Sequence, residues 1–220
     1  MSDINKILQA VAVAYRDFKN AFRPERSSDE LWDSFQNSLR GSLGEYEIVY
    51  DYIWGKDTLN IDGVTKNYIP KTGDTLIMDI SVGKDGVWCD VCRTFFVGTP
   101  TERQRSVFER VKQSLREGHK ALKAGAKARD IYQNADTMYA LNGEKLVHHA
   151  GHRIGKKPLL QPQFLADNET PIVCGELYTV ETGSYEDFGI RLENDYLITE
   201  DGAEDLFEHL LPLDIEEYIL

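Results

Sequence analysis

A chain of 220 residues, 41% hydrophobic and 28% charged, is long enough to bury a core as one sizeable domain without disulfides or a structural metal. Its formal charge of −12 argues against nucleic-acid or anionic-membrane partners, both of which select basic surfaces. No apolar run approaches the ~20 residues of a membrane span, the N-terminus lacks a signal peptide's basic and apolar regions, and three cysteines make no disulfide framework, so a reducing cytoplasm is the expected location.

Ile4 to Phe22 reads as an amphipathic helix, with Ile4, Leu8, Val11 and Tyr15 on one stripe and Pro24 closing it. Ser27 or Ser28 caps a second helix that carries Asp29 and Glu30 in its first turn and has Gly41 beyond its end. Glu47 to Trp54 reads as a strand, and Gly55 to Gly73 as a loop. From Thr75, TLIMDISVGKDGVWCDVCRTF alternates as two antiparallel strands around a Gly-Lys-Asp-Gly centre. A turn centred on Lys84 and Asp85 sets Asp79 directly opposite Asp90. Like charges facing each other there are destabilising, so a bound cation is the expected compensation.

Beyond Pro100 a helical pattern runs through Phe108, Val111 and Leu115 to about Leu122. Ala128 to Leu141 reads as another helix, ending at Asn142-Gly143. Leu146 to Gly155 (LVHHAGHRIG) fits neither regular period. Glu176 to Glu181 and Ile190 to Thr199 are strand-like, and Glu204 to Leu211 reads as a helical tail. No linker interrupts the chain, so the expectation is one α+β domain over residues 1–220, helices grouped around largely antiparallel strands.

Divalent cations of the hard or borderline kind take carboxylate oxygens and imidazole nitrogens. Glu181 and Glu193 lie on the second strand pair, spaced for a hairpin with a longer loop that leaves both acids near one face. His152 follows Gly151, whose backbone freedom lets the ring approach a buried centre. Arg93 and Arg191 adjoin the acid-bearing strands, either balancing the carboxylates or serving as ordinary ion-pair residues. Cys89 and Cys92 have redox-pair spacing, but on a strand they point to opposite faces, which makes them structural.

The blocks GDTLIMDISVGKDGVWCDVCRTFFVG, HHAGHRIG, YTVETGSY and IRLENDYLITEDG occur together and in this order. In them the sequence resembles the metal-dependent methionine aminopeptidase, prolidase and aminopeptidase P family, from about Glu30 onward. DVCRTFFVGTPTERQ is closest to the prolidase branch, with the catalytic domain alone and no separate N-terminal domain. The resemblance implies a pita-bread fold, a curved, largely antiparallel sheet with helices on its outer face. It also implies metal ligation by Asp79, Asp90, His152, Glu181 and Glu193. Asp90 and Glu193 would bridge two divalent ions, Asp79 completing one site and His152 with Glu181 the other. The ions would be manganese, cobalt, iron or zinc, with manganese preferred.

By the same resemblance, the ions activate a shared water, Glu181 accepts its proton, and His148 lines the substrate cleft as a second catalytic residue. The implied activity is hydrolysis of an N-terminal or Xaa-Pro bond in a short peptide, and a homodimer is the implied assembly. Three positions depart from the family pattern. Ile61 or Asp62, and Leu159, stand where auxiliary histidines belong, and Thr182 stands where proline is usual. Leucine neither donates a hydrogen bond nor carries a proton. These losses favour an alternative, a creatinase-like C–N hydrolase or a binding module on the same fold. The complete ligand set favours the metallopeptidase.

Overall fold

Helix α1 (Asp3–Ala21) buries Ile4, Ile7, Leu8, Val11, Tyr15 and Phe18, the apolar stripe its periodicity foretells. Each such side chain contributes roughly 1.5–3 kcal/mol on burial. The computed structural model of the protein describes residues 3–141 and 143–220. At the start of α2 (Ser28–Leu43) the Ser27 hydroxyl accepts the Glu30 N–H, and the Glu30 carboxylate accepts the Ser27 N–H in return. Gly41 lies inside this helix rather than beyond it. The helix stops at Gly44, where φ is 72° and glycine is at home; a mid-helix glycine costs only about 1 kcal/mol and does not end a turn by itself.

Eight strands form one sheet in the order β1 (Glu47–Trp54), β2 (Thr75–Lys84), β3 (Val87–Phe96), β7 (Gly189–Ile198), β6 (Leu177–Tyr185), β4 (His152–Ile154) and β5 (Leu160–Gln163), with β8 (Ala203–Asp205) on β7. Every strand pairing is antiparallel. Helix α1 packs on β2 and β3, and α3 (Glu102–Ala121) packs on β6 and β7, beside α4 (Ala128–Ala140). Period-2 alternation sorts the side chains. Met78, Ile80, Val91, Phe95, Val180 and Leu192 enter the core beneath the helices. Their neighbours Asp79, Asp90, Glu181 and Glu193 take the opposite face. This is the α+β, pita-bread arrangement expected from the sequence. Cys89 joins the helix-side core while Cys92 packs with Ile53 and Ile77 on the other face, as alternation requires.

Three local expectations are corrected. The β2–β3 turn is Asp85-Gly86, both at positive φ (52° and 77°), because Asp-Gly suits a two-residue hairpin turn better than Lys-Asp. The register therefore shifts by one pair on each face: Asp79 lies opposite Cys92, and Asp90 opposite Ser81. The two aspartates are diagonal neighbours on one face, not a direct pair. Residues Glu204 to Leu211 are not helical. Ala203–Asp205 pairs with β7, and the Asp205 carboxylate accepts the N–H groups of Phe207 and Glu208, which turns the chain; a 3-10 turn follows at Ile215–Tyr218. The irregular histidine segment contributes β4, a strand too short to show a period. The expected helix end at Asn142 falls outside the described residues.

Between β3 and β7 a single residue pair, Cys92 with Glu193, joins the two halves of the sheet. Side chains complete the ladder around it. The Thr94 hydroxyl donates to Arg191 O and accepts from Arg191 N, both at 2.9 Å. The Asp195 carboxylate accepts the Asp90 N–H at 3.1–3.2 Å. Buried Arg93 donates to Cys92 O and Glu193 O, both at 2.8 Å, and to the Tyr218 hydroxyl, Asn194 Oδ1 and Leu211 O. Arg93 is thus a structural clasp on the helix side, paired with neutral acceptors and not with the carboxylates.

Candidate metal centre

Register, not sequence proximity, assembles the acids. Asp51 pairs with Asp79, Asp79 with Cys92, Cys92 with Glu193, and Glu193 with Glu181, so one transverse row of five strands carries four carboxylates on the open face. Asp90 sits two residues before Cys92 on the same face. His152 reaches the row from β4: its Nε2 lies 3.5 Å from Asp90 Oδ2 and 3.8 Å from Glu193 Oε1. Two donors bound at about 2.1 Å to one ion stand roughly 3.0–3.4 Å apart at right to tetrahedral angles, so these separations are close to the edges of a coordination shell.

Gly151 makes this approach possible. It holds φ at 122°, and a Cβ there would fall 2.2 Å from the Thr179 carbonyl oxygen on β6. Gly151→Ala is therefore expected to push β4 off β6, costing on the order of 3 kcal/mol in chemical denaturation and weakening metal retention through His152. Unchanged stability and metal content in this variant would show that the close approach does not position the ring.

The electrostatics of the cluster favour a cation. Burial, then the charges of Asp79 and its neighbours, push the Asp90 carboxyl well above its ordinary range. Burial and the charges of Asp90, Asp79 and Glu181 do the same to Glu193. Burial outweighs Arg191 at Asp79, raising it to about 7. At Glu181 burial is overcome by His148, Arg191 and His149, which hold that carboxyl at about 2. Burial first, then the neighbouring His149, lowers His152 to about 4 and keeps its ring neutral at pH 7. Among the described residues Glu193 Oε1 is buried with no hydrogen-bond partner, which fits a ligand position. The oxygen–nitrogen donor set fits a borderline or hard divalent ion.

Not all five sequence-selected ligands converge equally. Asp90, His152 and Glu193 form one group whose ligand atoms lie within 4.8 Å of one another, and Glu181 forms a second with His148 and His149. Asp79 instead receives the Arg191 Nη1 at 2.7 Å. Arg191 is the residue that sequence reasoning left open. Its side chain is 3% exposed, its Nη1 also meets Asp51 Oδ2 at 3.1 Å, and its Nε stands 3.4 Å from Glu181 Oε1. That Nε donates to the Tyr185 oxygen at 2.7 Å; the Tyr185 hydroxyl donates onward to His148 Nε2 at 3.2 Å, and His148 Nδ1 donates to His149 O at 2.6 Å. This chain of bonds fixes the His148 tautomer. Alternation places Arg191 on the acid face two residues before Glu193, a usable signal; the histidine run in HHAGH is the only sequence hint to His149.

The row of carboxylates and the ring of His152 floor a cleft of about 310 Å³, whose walls include Ile61, Asp62 and Leu159. An antiparallel sheet that gathers carboxylates and imidazoles in such a cleft has the donor groups of a candidate metal centre. The chain belongs to metallopeptidase family M24, whose model matches residues 2–200. It is 30% identical over 148 residues to a Xaa-Pro dipeptidase of Pyrococcus furiosus, covering 66% of this chain and 42% of that protein. Its fold is that of the X-Pro aminopeptidase of Thermotoga maritima (TM-score 0.88, 24% identity, 99% of this chain and 63% of that one). It is likewise that of the Xaa-Pro dipeptidase from Bacillus anthracis (TM-score 0.88, 24% identity, 100% and 63%). The chain spans about half the length of the relatives it matches.

Proposed function

We propose that the chain is a dinuclear metal-dependent exopeptidase domain that hydrolyses the N-terminal or Xaa-Pro bond of short peptides. The observation that carries this reading is the buried, partnerless Glu193 Oε1 beside Asp90 and His152, within a family of metallopeptidases. Asp79, Asp90, His152, Glu181 and Glu193 would hold the ions, Asp90 and Glu193 between them. Ions bound there would supply the chemistry of acidifying a water and polarising the scissile carbonyl. Glu181 stays ionised at neutral pH and takes the water's proton. Arg191 fixes the Asp79 carboxylate and, through Tyr185, the His148 ring on the substrate side. Ser81 donates to Asp90 Oδ1 at 2.7 Å and leaves Oδ2 facing His152.

The test begins with metal analysis of protein purified without chelator and again after incubation with manganese or cobalt. About two equivalents are expected. A panel of Xaa-Pro dipeptides, Xaa-Pro-Xaa tripeptides and methionyl peptides follows, with turnover falling at least about a hundredfold on chelation. Protein that retains no ion after incubation would sink the reading and leave a binding module or metal-free hydrolase on the same fold.

A further inference from the structure

Hydrolysis of a peptide bond develops negative charge on the carbonyl oxygen, and a positioned hydrogen-bond donor in the cleft stabilises it. Most donors along this cleft are already committed. Ser81 is spent on Asp90. Both nitrogens of His148 are engaged, one with Tyr185 and one with the His149 carbonyl. His152 gives Nδ1 to the Arg153 carbonyl and turns Nε2 to the carboxylates. Arg191 spends Nε on Tyr185, Nη1 on Asp51 and Asp79, and one Nη2 hydrogen on the Ile61 carbonyl, and its remaining Nη2 hydrogen sits on a side chain only 3% exposed. Tyr50 turns its ring to the opposite face, stacked on Trp32 at 4.2 Å. Ile61 and Leu159 present only carbon to the cleft.

His149 is the exception. The Gly151 N–H donates to its Nδ1 at 3.2 Å, which leaves the ring proton on Nε2, and among the described residues that Nε2 has no partner. Its side chain is 23% exposed, against 6% for His148 and 4% for His152, so it is the most accessible of the three imidazoles that line the cleft. Its ring stands edge-on to His152, 5.4 Å between centroids, and its Nδ1 lies 3.4 Å from Glu181 Oε2. The donor is therefore next to the carboxylate that receives the water's proton.

We propose that His149 is a catalytic residue of this chain, donating its Nε2–H to the substrate carbonyl oxygen in the role for which Ile61, Asp62 and Leu159 have no suitable group. The proposal rests on the peptidase reading. It accounts for an intact ligand set in a chain without the two auxiliary histidines: the imidazole enters from the β4 side, three residues before His152.

The test uses the full metal-loaded chain and two readouts. The first is binding of a phosphinic dipeptide analogue, a tetrahedral mimic, by calorimetry; the second is kcat and KM on the best peptide of the panel. His149→Ala is expected to keep the wild-type metal content, to weaken analogue binding at least about tenfold and to lower kcat about a hundredfold, with KM little changed. His149→Gln, which retains an N–H donor, should recover part of both, and Leu159→His in the His149→Ala background should recover part from another position lining the cleft. Loss of a metal equivalent in His149→Ala would overturn the donor role in favour of ligation. Equal analogue binding by wild type and His149→Ala would overturn it outright. A wild-type protein that loads metal yet neither binds the analogue nor cleaves any peptide would refute the peptidase reading itself, and the proposal with it.

Discussion

Asp90→Asn is expected to lose at least one metal equivalent and to cut metal-supported turnover by about a thousandfold or more, since an amide neither neutralises nor bridges two cations. The same substitution is expected to stabilise the metal-free protein at pH 8. Asp90 and Glu193 have folded-state pKa values raised by burial first and then by neighbouring carboxylates, and Asp79 is raised to about 7. A folded state that holds these protons more tightly than the unfolded chain loses stability as pH climbs from the ordinary carboxylate range through 7 and beyond. His148 and His152, both lowered chiefly by burial, work in the opposite sense: their stabilising contribution grows up to about pH 6.5 and then levels. Glu181, held low, contributes fully above its ordinary value near 4.5. Above pH 6.5 the raised acids set most of the slope, with the buried Cys89 and Cys92 thiols adding to it in the same sense toward pH 8 and above. Urea unfolding of chelated protein at pH 6.5 and 8 should show the wild type falling more steeply than Asp90→Asn. Parallel behaviour, or full metal content in the variant, would rule out Asp90 as a crowded bridging ligand.

The second large effect is expected at Arg191. Replacing it with methionine leaves Asp51, Asp79 and Glu181 in a buried site without their cation. Removing one partner of a buried pair costs about 3–5 kcal/mol, and that loss should appear in denaturant unfolding of the metal-free protein. Arg191→Lys should recover only part of it, because an ammonium cannot fork over Tyr185, two aspartates and the Ile61 carbonyl at once. Metal loading should shrink the difference, since bound cations supply the missing charge. A loss below about 1 kcal/mol in Arg191→Met would mean that the guanidinium is not what holds these carboxylates together.

What the sequence made legible follows from what repeats or is spelled out locally. Helices α1, α3 and α4 and strand β1 announce themselves through long apolar periods, and their observed bounds lie within about two residues of that reading. The acid face was legible because the expected and observed registers differ by two residues, which under alternation leaves Asp79 and Asp90 on one side of the hairpin. Their supposed direct pairing was not, because it hung on which two residues made the turn. Strands β4 and β5 exist only through their neighbours, and three or four residues carry no period. The tail after Asp205 has apolar spacing that a helix would share, but its first residues, Ala203–Asp205, are taken up by pairing with β7, a tertiary contact that local spacing does not show. Arg191 and His149 were visible as residues, yet the acids they meet, Asp51 and Asp79 for Arg191 and Glu181 for His149, come from strands far away in the chain. A lone arginine beside a strand looks the same in sequence whether it lies on the surface or under a cluster of acids.

The narrow junction between β3 and β7 bears on mechanics as well as on chemistry. Two well-laddered leaves, β1–β2–β3 and β7–β6, meet through one backbone pair, one threonine, one aspartate and the Arg93 clasp. Asp90 belongs to the first leaf, while Glu193 and Glu181 belong to the second. Cations shared among these acids would rivet the leaves together on the open side, opposite the clasp. Metal occupancy would then govern how far the molecule gapes, and the metal-free protein would differ from the loaded one most at this spine, where amide protons of Asp90 and Arg191 report on the opening.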